Sequence, residues 1–110
     1  FEEFVRTVNR LLAEEPVFGQ RGNLLLLEES HEAVLAAFRR DLSGSDHDFL
    51  VVCNLDTVHQ HRITVDLSTI LSSGELEDRL GSGELLKVRG EPTELLLEPC
   101  GVRAFRVKRG

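Results

Sequence analysis

Apolar residues recur through the first fourteen positions, FEEFVRTVNRLLAE, at the spacing of an α-helix. Phe1, Phe4, Val5, Val8, Leu11 and Leu12 fall on one face, and Glu, Arg, Asn and Thr fill the other. Glu2 and Glu3 suit a helix N-terminus, and Pro16 ends the element because the residue before a proline avoids the helical region. The stripe is wide and must bury against something. After Gly19 and Gly22 the texture changes to short apolar runs separated by Gly, Ser, Asp and Pro. These runs predict strands near 23–28, 33–39, 49–54, 61–66, 76–80, 84–88, 94–97 and 103–108.

Alternation assigns faces. Ile63, Val65 and Leu67 share one side while Thr64 and Asp66 turn away, and Ala104 and Arg106 alternate with Phe105 and Val107. The run FLVVC is apolar on both sides, which predicts a central strand covered on both faces that emerges at Asn54-Leu55-Asp56. About eight strands at this spacing, with no helix between them, predict a mainly β fold: an antiparallel Greek-key β-sandwich preceded by one amphipathic helix. The expected division is a boundary helix at 1–18 and a sandwich domain at 19–110.

Composition narrows the function classes. The chain has 110 residues, 41% of them hydrophobic and 29% charged, enough for one domain with its own core. A net charge of −6 without a basic stripe argues against nucleic acid, since phosphate affinity comes from clustered Lys and Arg. Arg39-Arg40 and Arg103, Arg106, Lys108 and Arg109 look like strand-end charges. No apolar stretch approaches the ~20 residues that span a bilayer, so no membrane partner is expected. The chain opens without Met, directly in a helical pattern, which is expected of a piece of a longer protein. Cys53 and Cys100 are too few for a disulfide framework and lack metal-ligand spacing. Both are expected beside the core as inert thiols, with a cytoplasmic home the simpler choice.

No constellation carries chemistry. The Asp and Glu residues fall in turns, strand ends and the polar helix face. Glu28-Glu29, Asp46/Asp48 and Glu75/Glu77/Asp78 are expected to be solvated charge rather than acid/base pairs. His59 and His61, at i and i+2, would aim both rings to one side of an extended segment, but no third metal ligand is evident and a polar hairpin connection accounts for them. His31 and His47 are expected in exposed turns. Gly81-Ser82-Gly83 lacks the context of a nucleophile elbow or a phosphate loop. A glucan platform needs exposed aromatic faces, and the chain has neither Trp nor Tyr; its six Phe sit within or beside apolar elements. No cofactor, metal or catalytic residue is expected.

Taken in order, NRLLAEEPVF, EAVLAAFRR, FLVVCNLD, VDL, Asp78-Arg79-Leu80 before a Gly pair, and LLLEPCGVRAFRV resemble the tail of alpha-amylase family (glycoside hydrolase family 13) enzymes. Val34 to Arg39 stand for the family's "vlaf.R" strand and Val51 to Asp56 for its "vvvNld" strand. Two departures are the altered spacing at Asp78 to Gly83 and Cys100 in place of an aromatic. The resemblance implies the last helix of a (β/α)8 barrel followed by the C-terminal domain (domain C), with the catalytic carboxylates on the barrel, outside this chain. It implies a non-catalytic accessory domain of a bacterial glycosidase or transglucosidase acting on alpha-glucans or sucrose, docked on the barrel through Phe1, Phe4, Val5, Val8, Leu11 and Leu12. An isolated chain would expose part of that seam, inviting weak homodimerisation. The alternatives are a starch- or glucan-binding module and a free-standing protein-interaction sandwich.

Overall fold

The computed structural model describes residues 2–27, 32–43, 47–68, 71–81 and 83–109, without the side chains of residues 2 and 4. Helix α1 spans Glu2–Glu14 and is followed by a 3-10 turn, Pro16–Gly19. Glu15 between them is extended, as a residue before proline must be, and its N–H still closes the last helical turn on the Leu11 carbonyl. Eight strands follow: β1 Leu24–Leu26, β2 Val34–Arg39, β3 Phe49–Asn54, β4 His61–Val65, β5 Gly74–Asp78, β6 Leu85–Val88, β7 Thr93–Leu97 and β8 Val102–Arg109. All pairings are antiparallel. Six strands form one sheet in the order β1-β2-β3-β8-β5-β6, and β4 pairs with β7 in a second, two-stranded sheet.

The fold is the predicted β-sandwich, but a lopsided one. Its main core lies between the two sheets, where Phe38, Leu50, Val52, Leu76, Phe105 and Val107 of the large sheet meet Ile63, Val65, Leu95 and Leu97 of the small one. A second cluster sits on the other face of the large sheet, where Leu11 and Val17 pack on Phe49 and Ala104, with Phe18, Val51 and Leu80 partly buried beside them. Strand β3 lies between β2 and β8 and is lined on both faces, as its unbroken apolar run requires.

Two strand boundaries shift for a local reason. The fifth strand was expected at 76–80 and lies at Gly74–Asp78 because the Asp78 carboxylate accepts the N–H groups of Leu80 and Gly81, turning the chain out of the ladder. The first strand begins at Leu24 rather than Asn23, whose side chain donates to the carbonyls of Val17 and Arg40 and so belongs to a staple.

Candidate functional site

The helix and the sheet face beneath it form an apolar concavity of about 240 Å3, between Val8, Leu12 and Phe18 on one side and Val51, Leu80 and Val102 on the other. The six residues of the predicted seam divide here. Phe1 and the side chain of Phe4 lie outside the described residues. Leu11 is buried in the chain's own second cluster, Val8 is half-buried, and Val5 and Leu12 stand 39% and 50% exposed. The 3-10 turn is held down by Arg39, which donates to the carbonyls of Val17 and Gln20 and to Asn23 Oδ1, its guanidinium 5.9 Å from the centre of the Phe18 ring. Phe18 in turn packs on Phe49 at 5.0 Å between ring centres. Arg39, at the end of β2 as expected, is therefore also a staple.

The end of β3 is a polar knot. Asn54 is buried, and its side-chain N–H groups reach the carbonyls of His59 at 3.0 Å, Glu98 at 3.0 Å and Leu97 at 3.4 Å, while its Oδ1 accepts the N–H of Asp56 at 3.0 Å. It thus joins the large sheet to both connections of the small one. Asp56 continues the turn: Oδ1 accepts the N–H groups of Val58 and His59, and Oδ2 meets His61 Nε2 at 2.8 Å and His59 Nδ1 at 3.3 Å. The Val58 backbone N–H, then His61 and the other donors, hold the Asp56 carboxyl far below the usual carboxylate range. The two imidazoles do converge, but on a carboxylate that is already spoken for by backbone donors. Among the described residues no three ligating side chains are placed to hold a metal ion.

Several carboxylates expected in solvent are buried. Asp48 accepts the backbone N–H of Asp41 at 2.6 Å and pairs with Arg109; Asp78 meets Arg103 at 3.3 Å; Glu15 bridges Arg79 at 3.0 Å and His47 at 3.1 Å. His47 is consequently half-buried rather than free in a turn. Each of these carboxylates is satisfied by donors inside the fold, as burial requires. Glu28, Glu29, His31, Asp46 and Ser82 lie outside the described residues. Glu77 pairs with Lys108 at 2.8 Å, which lowers its carboxyl, and Glu75 faces Lys108 across the ladder.

Both cysteines are free thiols. Cys53 lies half-buried on the outer face of β3, and burial pushes its thiol up. Cys100 departs from expectation: it is exposed in the turn before β8, in the left-handed region at φ 56°. A shallow hollow of about 210 Å3 beside β6 and β7 is lined by Lys87, Arg89, Glu91 and Glu94 among others, a mixed-charge surface without an aromatic wall. Phe38, Phe49 and Phe105 are fully buried and present no stacking face to a sugar.

No protein-family model matches the chain, and no curated protein matches its sequence. Solved structures do. An alpha-amylase from Anoxybacillus superposes with a TM-score of 0.74 at 18% identity over 98% of this chain. AmyP, solved in complex with maltose, superposes with a TM-score of 0.77 at 19% identity over 94%. The shared fold therefore takes in the helix as well as the sandwich. This chain spans about a fifth of each of those proteins, 22% and 20% of their lengths.

Proposed function

We propose that this chain is the C-terminal accessory domain of an alpha-amylase family glycosidase or transglucosidase, itself non-catalytic, and that it buttresses a (β/α)8 barrel in the same parent polypeptide. The observation that carries this is the joint match of helix and sandwich, over nearly the whole chain, to proteins about five times as long. The ordered segments from NRLLAEEPVF to LLLEPCGVRAFRV support it independently. In such a parent, α1 is the last element of the barrel and the stripe from Phe1 to Leu12 is shared: Leu11 seals against the sandwich while Val5 and Leu12 face the barrel. Burying such apolar side chains contributes roughly 1.5–3 kcal/mol each, enough for a few residues to hold two domains in register. The internally satisfied carboxylates support a structural role, and the two unpaired cysteines support a cytoplasmic parent.

The test has two parts. The reading frame upstream of Phe1 should encode a (β/α)8 barrel bearing acidic residues at strand C-terminal ends. The 110-residue chain should turn over neither starch, maltooligosaccharides nor sucrose, and it should migrate unretarded through an amylose gel. Turnover by the chain alone would refute the non-catalytic assignment. Retardation would favour a glucan-binding module instead.

A further inference from the structure

Strand β1 closes one edge of the large sheet, yet its sequence is that of an interior strand. Leu24, Leu25 and Leu26 alternate across both faces and stand 59%, 47% and 62% exposed. An unbroken apolar run is what β3 carries, and β3 is flanked by strands and lined on both faces. The other edges hold charge: Lys87 in β6, Arg62 in β4 and Glu94 in β7. β1 holds none. Its pairing with β2 fixes which backbone groups are open. The Asn23 carbonyl accepts the Arg40 N–H and the Leu27 N–H donates to Ala36, so the bonded pairs with β2 fall at residues 23, 25 and 27. Leu24 and Leu26 therefore turn N–H and C=O outward, in the plane of the sheet rather than toward the face that α1 covers.

We propose that β1 pairs with β1 of a second copy of this chain, antiparallel about a two-fold axis at Leu25, joining two six-stranded sheets edge to edge. This goes beyond the accessory role and does not depend on a barrel. The register is self-complementary. With Leu25 opposite Leu25 of the second copy, Leu24 meets Leu26 and Leu26 meets Leu24, each pair exchanging both backbone bonds. A one-residue slip would set Leu24 against Leu25, whose backbone groups already serve β2. A helix cannot take this place, because its own backbone groups are bonded along its length and leave none for Leu24 and Leu26. Charge agrees with the same register. Arg21 and Arg40 are exposed at the end where β1 begins, and Glu32 is exposed in the turn beyond its other end. Two-fold pairing brings the basic end of one strand toward the acidic end of the other, although each chain carries −6 overall. A three-residue strand pair buries little area, so the association is weak and concentration-dependent.

Sedimentation equilibrium of the 110-residue chain, from about 10 μM to about 1 mM, should show a reversible monomer and dimer. Leu26→Pro removes an outward N–H and leaves the bonds to β2 in place, and Leu25→Lys sets like charges opposite each other. Each should weaken the dimer at least about tenfold while the far-UV circular dichroism of the monomer stays unchanged. Arg21→Glu should weaken it about two- to fivefold, and adding Glu32→Arg should restore it. A chain that is monomeric up to about 1 mM would overturn the proposal. So would a dimer that Leu26→Pro and Leu25→Lys both leave unchanged, since its contact would lie elsewhere. A monomeric parent with slow amide exchange at Leu24 and Leu26 would assign the edge to a strand of its own chain, and would equally overturn the second copy. None of these results bears on the accessory-domain assignment, which stands or falls by the upstream barrel.

Discussion

Asn54 is where the apolar run FLVVC meets the first polar residue, and its side chain joins segments that no β-ladder connects. Asn54→Ala would leave the carbonyls of His59 and Glu98 and the N–H of Asp56 without their present partners. A hydrogen bond of this kind is worth about 1 kcal/mol net, and water can reach the exposed ends of the two connections, so the loss should be about 2–3 kcal/mol. For a domain of this size that corresponds to a fall in Tm of roughly 10–20 °C. Urea unfolding followed by far-UV circular dichroism gives the free energy directly, and an unchanged m-value would show that the unfolded state is not what moved. Asn54→Asp separates bonding from shape. It keeps the volume but points a carboxylate oxygen at two carbonyl oxygens in a buried site, so at neutral pH it should cost at least as much as alanine. An Asn54→Ala variant within about 0.5 kcal/mol of the parent sequence, or an Asn54→Asp variant clearly more stable than the alanine, would refute the assignment of this residue as a hydrogen-bonded clamp.

Other consequences can be measured on the same material. Leu50→Ala, in the closed core between the sheets, should cost about 2–5 kcal/mol in urea unfolding, whereas Leu55→Ala, two-thirds exposed one residue past the clamp, should stay within about 0.5 kcal/mol. Gly101→Ala would set a Cβ 2.7 Å from the Glu98 backbone oxygen, so the turn must shift; the expected loss is about 1–3 kcal/mol, read as Tm by calorimetry. Because the folded Asp56 carboxyl lies below its unfolded value of 3.8, it adds stability that is present above about pH 4 and lost as pH falls further; Asp56→Asn should flatten the acid limb of a stability–pH curve below pH 4 and leave its slope near pH 7 unchanged. Iodoacetamide should label Cys100 before Cys53 in the native chain, and equal rates would contradict the burial of Cys53.

Hydrophobic period was the strong signal in this chain. Seven of the eight strands begin within one residue of the position their apolar runs predict; all of these but β1, whose three leucines are exposed, turn side chains into the core between the sheets, and a register error would turn that whole set outward. What period does not encode is the use of short polar side chains as backbone partners. Asn23, Asn54 and Asp78 each end or displace a strand by bonding main-chain groups, and from sequence they look like ordinary turn residues. The spacing Asn54-x-Asp56 after an apolar strand carried a readable trace of this, since Asx side chains favour N–H groups two residues on. Burial of Asp48 and Glu15 was hidden for a related reason: each depends on a cation far along the chain, Arg109 and Arg79, that only the strand order brings near.

The candidate docking face shows the same division between what period reveals and what it conceals. Helical spacing groups Val5, Val8, Leu11 and Leu12 on one side of α1, yet that side is about 100° or more wide and the sandwich uses only part of it. Leu11 is consumed internally, while Leu12, one residue on, is half exposed and lines the same concavity as Val102. A strand in a sheet covered on one face only would place polar residues at 35, 53 and 102, and the large sheet does place charge on the same face near its other edge, at Glu75, Glu77 and Lys108. Apolar side chains thus stand toward one end of that face and ion pairs toward the other, so a contact on the apolar end would have its boundary across the sheet itself. A partner pressed against that boundary would leave the ion pairs in water, where exposed pairs cost nothing to keep, and would take from water only the Leu35, Cys53 and Val102 end.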